Sequence, residues 1–522
     1  MLARSTEATT TFTIQAHSKL ALIGCVVMSA LLRVWGAFSD LPYIFHPDEP
    51  KYISIIQGIF KTGDLNPHFF NYPSMFLYIN ALAYVPYYFL GHLTGAFGSP
   101  GDIFEPRSLA MGTALTVTPS SVIIGRSLTI GFATASVVLV YFIGQKLTNN
   151  ARVGLLAALL MTISPTNVIN SRFITPDTYV VFWALATCLA ATLILQHGKT
   201  QYYILAGLSV GFTASSKYNG ALIAVCIIAA HFLRYGWSGF RDYRLYLAGL
   251  LSLAAFVLIT PFSILDTQSF LRDLRFEAEH YSTGHAGMEG DVVSWYSSYL
   301  WRMEGIVSLL AIVQLIRGLY LRSKPTIVLA SFTVVYLAFI SSYVVRNDRT
   351  ILPAIPFMIL LSSILAVEVL WPALAQPASR RALIKVPIVL LAAVAFAVPL
   401  WSTVQASVAL TTVDSRVTAG RWITANVPAG TRIAVESYSP FIDPSRYEIM
   451  GVIRMIDNGP KWYASHGFKY LVFSQRMFGR YYKEPDKYPQ EIALYDAFFG
   501  AFHLAYTTSD GGTEIRVYQI EQ

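Results

Sequence analysis

The chain has 522 residues, of which 54% are hydrophobic and 13% charged, with a net charge of +8 and a mean hydropathy of +0.49. Soluble domains carry about 25% charged residues, so this composition excludes a chain built mainly to face water. The Lys and Arg excess is scattered without a basic run, which excludes a nucleic-acid surface; Cys25, Cys188 and Cys226 all lie in apolar runs, which excludes a disulfide framework or zinc site.

A polytopic α-helical membrane protein is therefore expected, and each apolar run of about 20 residues can be oriented by the Lys and Arg at its flanks. The first run, 20–38, has no small-residue cleavage signal and is expected to remain as an anchor. A long segment, 39–120, follows. In it Asp48 and Glu49 stand between Pro47 and Pro50, and the spacing of Tyr52, Ile55, Ile56 and Ile59 predicts a helix along the membrane surface, with Asp48 at its N-cap. Met75 to His92 is apolar but rich in tyrosine and interrupted by Pro86, so it is expected to be interfacial or re-entrant. Further spans are predicted at 121–144, 153–168, 179–195, 202–215, 219–233, 245–262, 299–316, 326–345, 351–371 and 386–401, which with the first makes eleven.

With the N-terminus in the cytoplasm, the inner connections hold Lys146 and Arg152, Lys199, Arg234 to Arg244, Arg317 to Lys324, and Arg380 to Lys385. The sign rule is kept at each of them. Residues 1–403 then form the membrane module, and 404–522 a small exoplasmic α/β domain. "SRVTAGRWITANVP" and "YPQEIALYDAFFG" predict its helices, and "TRIAVES", "FKYLVFSQ" and "TEIRVYQI" its strands.

Oriented in this way, the chain places Asp48, Glu49, Asp177, Lys217, Arg346 and Arg349 at non-cytoplasmic span ends. Charge at a membrane boundary is costly and usually faces a cavity. Lys217, Arg346 and Arg349 suit a phosphate, as an ammonium and two guanidinium forks; singly, each could equally snorkel to the headgroups. Asp177 reads as a substrate or cation contact or as a helix N-cap, and Arg126 as a partner of the acidic pair or a snorkelling side chain. An acid held by two prolines at a half-dry interface, such as Asp48, can serve as a general base.

The ordered motifs "HPDEPKYISIIQGIFKTGDLNP", "NYPSMFLYI", "IGRSLTIGFATASVVLVYFIGQKL", "SRFITPDTYVVFWALAT", "ASSKYNGAL", "EAEHYSTGH" and "RNDRTILPAIP" span roughly residues 20 to 371. In that order they resemble the GT-C membrane glycosyltransferases, specifically the protein O-mannosyltransferase and lipid A aminoarabinose transferase group. The sequence departs from that group in Pro50 and Lys51 after the acidic pair, in "NYPS" for a doubled proline, and in Thr350 after the arginine.

The resemblance implies an inverting glycosyltransferase that moves a sugar from a polyprenyl monophosphate to a hydroxyl of a protein, lipid or glycan outside the cytoplasm. It implies Asp48 as base and Glu49 beside it as catalytic residues. Lys217, Arg346 and Arg349 would take the donor phosphate. Asp177, Arg126, Tyr52, Tyr72, His280 and His285 would contact substrate, although the tyrosines also fit an interfacial belt and the histidines a polar loop. No cofactor is implied, because one phosphate can be neutralised by these cations, although a divalent metal would be compatible with the site. A transporter or flippase of a lipid-linked sugar is the alternative, but the internal repeats common in transporters are absent from the sequence.

Overall fold

The computed structural model describes residues 2–284, 286–375 and 382–521. Among the described residues six helical segments are long and apolar enough to cross a membrane: Pro119–Thr148, Asp177–His197, Tyr218–Arg241, Lys324–Ser341, Asp348–Leu374 and Lys385–Asn426. The helices Val292–Met303 and Ile306–Tyr320 are long and apolar enough only when taken together, and they are bent by 117° at the break between them. Ala151–Ile163 and Tyr243–Ile259 are shorter apolar helices.

The differences from the expected spans have local causes. The run 153–168 is two helices, Ala151–Ile163 and Pro165–Asn170, because a proline cannot donate to the helical ladder and disfavours helix in the residue before it. The expected straight span 299–316 breaks at Glu304–Gly305, where Gly305 has φ +60 and the buried Glu304 carboxylate accepts hydrogen bonds from Ser164 Oγ and the Thr166 N–H. Met75–Leu93 is one continuous helix with Pro86 inside it. Its first half is buried, and it is not among the helices apolar enough to cross. The helix Ala382–Thr411 runs past the expected boundary at 403, and the following helix begins at Ser415.

The long segment after the first helix folds into the predicted surface helix, Glu49–Thr62, which buries Tyr52, Ile53, Ile56 and Ile59. It also forms a small antiparallel sheet that the sequence did not suggest: β1 (Tyr43–Ile44), β2 (Arg107–Ala110) and β3 (Thr113–Leu115), in the order β1-β3-β2. The C-terminal region is a five-stranded sheet of β4 (Arg432–Glu436), β5 (Glu448–Val452), β6 (Tyr470–Ser474), β7 (His503–Thr508) and β8 (Ile515–Gln519). The order is β5-β4-β6-β8-β7, with β4 parallel to β5 and β6 and the remaining pairs antiparallel. The helices Ser415–Asn426 and Pro489–Ala501 and the strands β4, β6 and β8 lie where the pattern of apolar residues placed them.

Within this sheet Glu436 is buried, which pushes its carboxyl up to about 8, and its oxygens accept from the Ser474 and Met455 N–H groups and from the Tyr495 hydroxyl. Glu436→Gln would turn an amide donor toward these donors. It is expected to destabilise the region by about 1–3 kcal/mol, measured as a lower unfolding midpoint.

The two sheets meet at a close backbone approach. Tyr438 donates its N–H to Met111 O at 2.6 Å. A Cβ on Gly451 would lie 1.8 Å from Leu109 O, and one on Gly112, at φ +88, 2.2 Å from the Tyr438 ring. Only glycine permits both contacts. This junction closes one side of a cavity.

Candidate active site

The cavity has a volume of about 860 Å³. Its floor is the stretch from Ser39 to Tyr52, one wall is the helix Thr267–Thr283, and its roof is the C-terminal region. The wall helix is fixed to the first loop: Asp273 accepts the Phe70 N–H at 2.9 Å, and Asn71 donates to Glu277 at 3.1 Å.

Asp48 starts the helix Glu49–Thr62, but its side chain makes no capping bond. Its Oδ2 instead accepts from Arg349 Nη1 at 2.6 Å. Both residues line the cavity, together with Tyr52, Tyr72 and His280. Burial alone would raise the Asp48 carboxyl, but Arg349, with Lys51, more than offsets it and holds the group below the usual carboxylate range. Asp48 is ionised at neutral pH as a result. Removing the cation in Arg349→Gln leaves burial uncompensated, so the Asp48 pKa rises. The acid limb of a kcat/KM–pH profile should then move to higher pH, and an unmoved limb would show that another group sets it.

Directly behind Tyr72, Lys217 Nζ donates to Asp177 Oδ1 at 2.9 Å, with its ammonium 5.5 Å from the Tyr72 ring centre. Both residues are buried, and neither reaches the cavity wall. Asp177 therefore has a cation partner and makes no side-chain cap. The two ion pairs are close enough for the Asp177 charge to act on Arg349 and the Arg349 charge on Lys217.

Three residues expected to contact substrate are engaged by the fold instead, and of these Arg126 meets the acidic pair, as one of its two readings had it. Glu49 faces away from the cavity and is completely buried; its carboxylate accepts from Arg126 Nε at 3.0 Å, Arg126 Nη2 at 2.8 Å and the Ile174 N–H at 2.8 Å. Arg126 also bonds Asp40 at 2.6 Å and Ala37 O at 2.6 Å, so its donors are consumed by the fold. The helical turn explains the split: consecutive residues point about 100° apart, so one of two adjacent acids can face the cavity and the other the core. Arg346 lies 3.5 Å from Glu484 and donates its N–H to Met288 O, which places it in the contact between the membrane module and the C-terminal region. His285 lies outside the described residues.

Other cavity residues carried no mark in the sequence reading. The Asp48 N–H donates to His46 Nδ1 at 3.2 Å. Burial and the Arg349 charge depress the His46 imidazole to about 3, so the ring is neutral and orients the acid without adding charge. The C-terminal region contributes Arg416, Tyr438, Arg476 and Arg480. The four-residue spacing of Arg476 and Arg480, which puts both on one helix face, was their one visible signal.

Residues 109–261 match the family model described as dolichyl-phosphate-mannose-protein mannosyltransferase. The match includes Arg126, Asp177 and Lys217 but neither Asp48 nor Arg349. No curated protein matches the sequence. Among solved structures, the oligosaccharyltransferase AglB of Archaeoglobus fulgidus, in complex with an inhibitory peptide and a dolichol-phosphate, is 13% identical, with a TM-score of 0.56 over 97% of this chain and 74% of that one. ArnT of Cupriavidus metallidurans bound to undecaprenyl phosphate is 15% identical, with a TM-score of 0.53 over 95% of this chain and 97% of that one. At such identities the likeness is one of fold, and the fold is that of the GT-C membrane glycosyltransferases. The chain is an integral membrane protein with this fold and a sheet-containing C-terminal region.

Proposed function

We propose that the protein is an inverting glycosyltransferase that takes a sugar from a polyprenyl monophosphate and passes it to a hydroxyl acceptor on the non-cytoplasmic side of the membrane. One observation carries the proposal: Asp48 and Arg349, 301 residues apart in the chain, meet at 2.6 Å on the wall of a cavity with an ionised acid beside a guanidinium. The names of the matching family and of ArnT support the donor class. The loop charges support the topology, with eleven crossings, a cytoplasmic N-terminus and residues 404–522 outside.

In the proposed reaction the acceptor hydroxyl attacks the anomeric carbon on the face opposite the phosphate, and Asp48 Oδ takes its proton. The bond from the anomeric carbon to the phosphate oxygen breaks, and its electron pair leaves with the polyprenyl phosphate. Arg349, already at Asp48, neutralises the charge gained by that phosphate, with Lys217 behind Tyr72 as the second cation. Arg349 then shares its donors between two anions, which weakens its hold on Asp48 and raises the carboxyl pKa toward that of a useful base.

Purified full-length protein in detergent, given polyprenyl-phosphate sugar and acceptor, should consume the donor and release polyprenyl phosphate. A carrier or scaffold would leave it intact. Lys217→Ala should raise the donor KM, and lower kcat as well if the contact tightens in the transition state. Unchanged donor dependence would reduce Lys217 to the structural partner of Asp177.

A further inference from the structure

The roof of the cavity holds a group of cations that the proposed transfer does not use. Tyr438 is buried and held at φ +66 by its bond to Met111 O, and the face of its ring carries two guanidinium groups, Arg476 at 5.3 Å and Arg480 at 5.0 Å. Arg416 lies close enough for its charge to act on Arg476. The nearby carboxylate, Asp414, is already engaged by Arg416 Nε at 2.8 Å and Nη2 at 2.7 Å. Among the described residues Arg476 has no ion pair; its side chain is exposed, partial burial of the guanidinium and the Arg416 charge lower it below the usual arginine value, and the Asp414 charge acts against them. Like charges gathered on one rigid platform repel each other, and an anion placed between them relieves that repulsion.

The position of this platform indicates which substrate would use it. Arg476 and Arg480 line the cavity and also a second cleft, of about 850 Å³, whose wall includes Lys483 and Asp496 and the ion pair of Arg516 with Glu514. They therefore stand where the two cavities meet. Arg476 is near enough for its charge to act on His46, the residue bonded to the Asp48 N–H. A group anchored on Arg476 thus leaves the rest of its molecule within reach of the base. Two planar forks side by side can share the several oxygens of a phosphate, whereas a carboxylate fills one fork.

We infer that Tyr438, Arg476 and Arg480 form a docking subsite for an acceptor that carries a phosphate group apart from the hydroxyl it presents to Asp48. This rests on the glycosyltransferase proposal and adds the class of acceptor to it. The acceptor phosphate enters through the second cleft, and the donor phosphate is taken by Arg349.

The test uses full-length protein in detergent and sn-glycerol 3-phosphate as probe, titrated by calorimetry. Wild type should show saturable binding that weakens with added salt. Arg476→Gln should lose at least tenfold in probe affinity, Arg476→Lys should recover part of it, and Arg480→Gln should act in the same direction. Binding of undecaprenyl phosphate by Arg476→Gln should stay as in wild type, which also shows that the variant is folded. Absence of probe binding to wild type, equal binding by Arg476→Gln, or equal affinity for glycerate would each overturn the inference. Asp48→Asn should bind the probe normally. Failure of the transferase proposal, seen as polyprenyl-phosphate sugar left intact by wild type, is therefore read separately from failure of the subsite.

Discussion

Asp48→Asn is expected to lower kcat for sugar transfer by about 10²–10⁴, the contribution typical of a general base, while the protein remains folded. Stability should hold because the Asp48 side chain caps nothing and its pair with Arg349 is partly open to water, with side-chain exposures of 33% and 22%. Exposed ion pairs contribute about 0.2–1 kcal/mol, so the unfolding midpoint should shift little. Asn fills the same volume and keeps an oxygen facing Arg349, but it cannot accept the acceptor's proton. Turnover within tenfold of wild type, at normal donor binding, would take the role of base away from Asp48.

The neighbouring position should respond in the opposite way. Glu49→Gln is expected to destabilise the protein by about 3–5 kcal/mol, the range for breaking a buried ion pair from one side. Arg126, completely buried in a spanning helix, would keep Asp40 but face an amide donor where the Glu49 oxygens had accepted, and the Ile174 N–H would compete for the one oxygen left. The measurement is the thermal midpoint in detergent beside the yield of folded protein. Activity per folded molecule should fall much less than the yield does. A variant of wild-type stability without transfer would instead make Glu49 part of the chemistry.

The contrast between Asp48 and Glu49 shows what the sequence could convey. Its apolar runs located most of the helices, because whether a segment partitions into lipid depends on that segment's own residues. The alternation of apolar residues located β4, β6 and β8 and two of the helices in the C-terminal region for the same local reason. The breaks at Ser164–Pro165 and Glu304–Gly305 depend partly on neighbours, so 153–168 and 299–316 read as straight. β5 and β7, half-exposed at the sheet edges, had too weak a pattern to be seen.

The sequence by itself determined a membrane protein with a sheet-forming C-terminal region, and it marked Asp48, Asp177, Lys217 and Arg349 as charges in unusual places. Only the tertiary structure decided which charge meets which: Asp48 with Arg349 across 301 positions, Glu49 with Arg126 across 77, Lys217 with Asp177 across 40, and Arg346 with Glu484. It alone brought Arg476 and Arg480 over the cavity. The reason is physical: hydropathy and periodicity act within a few residues, whereas the field at an ionisable group comes from whatever the packing places within a few ångströms of it, at any distance along the chain.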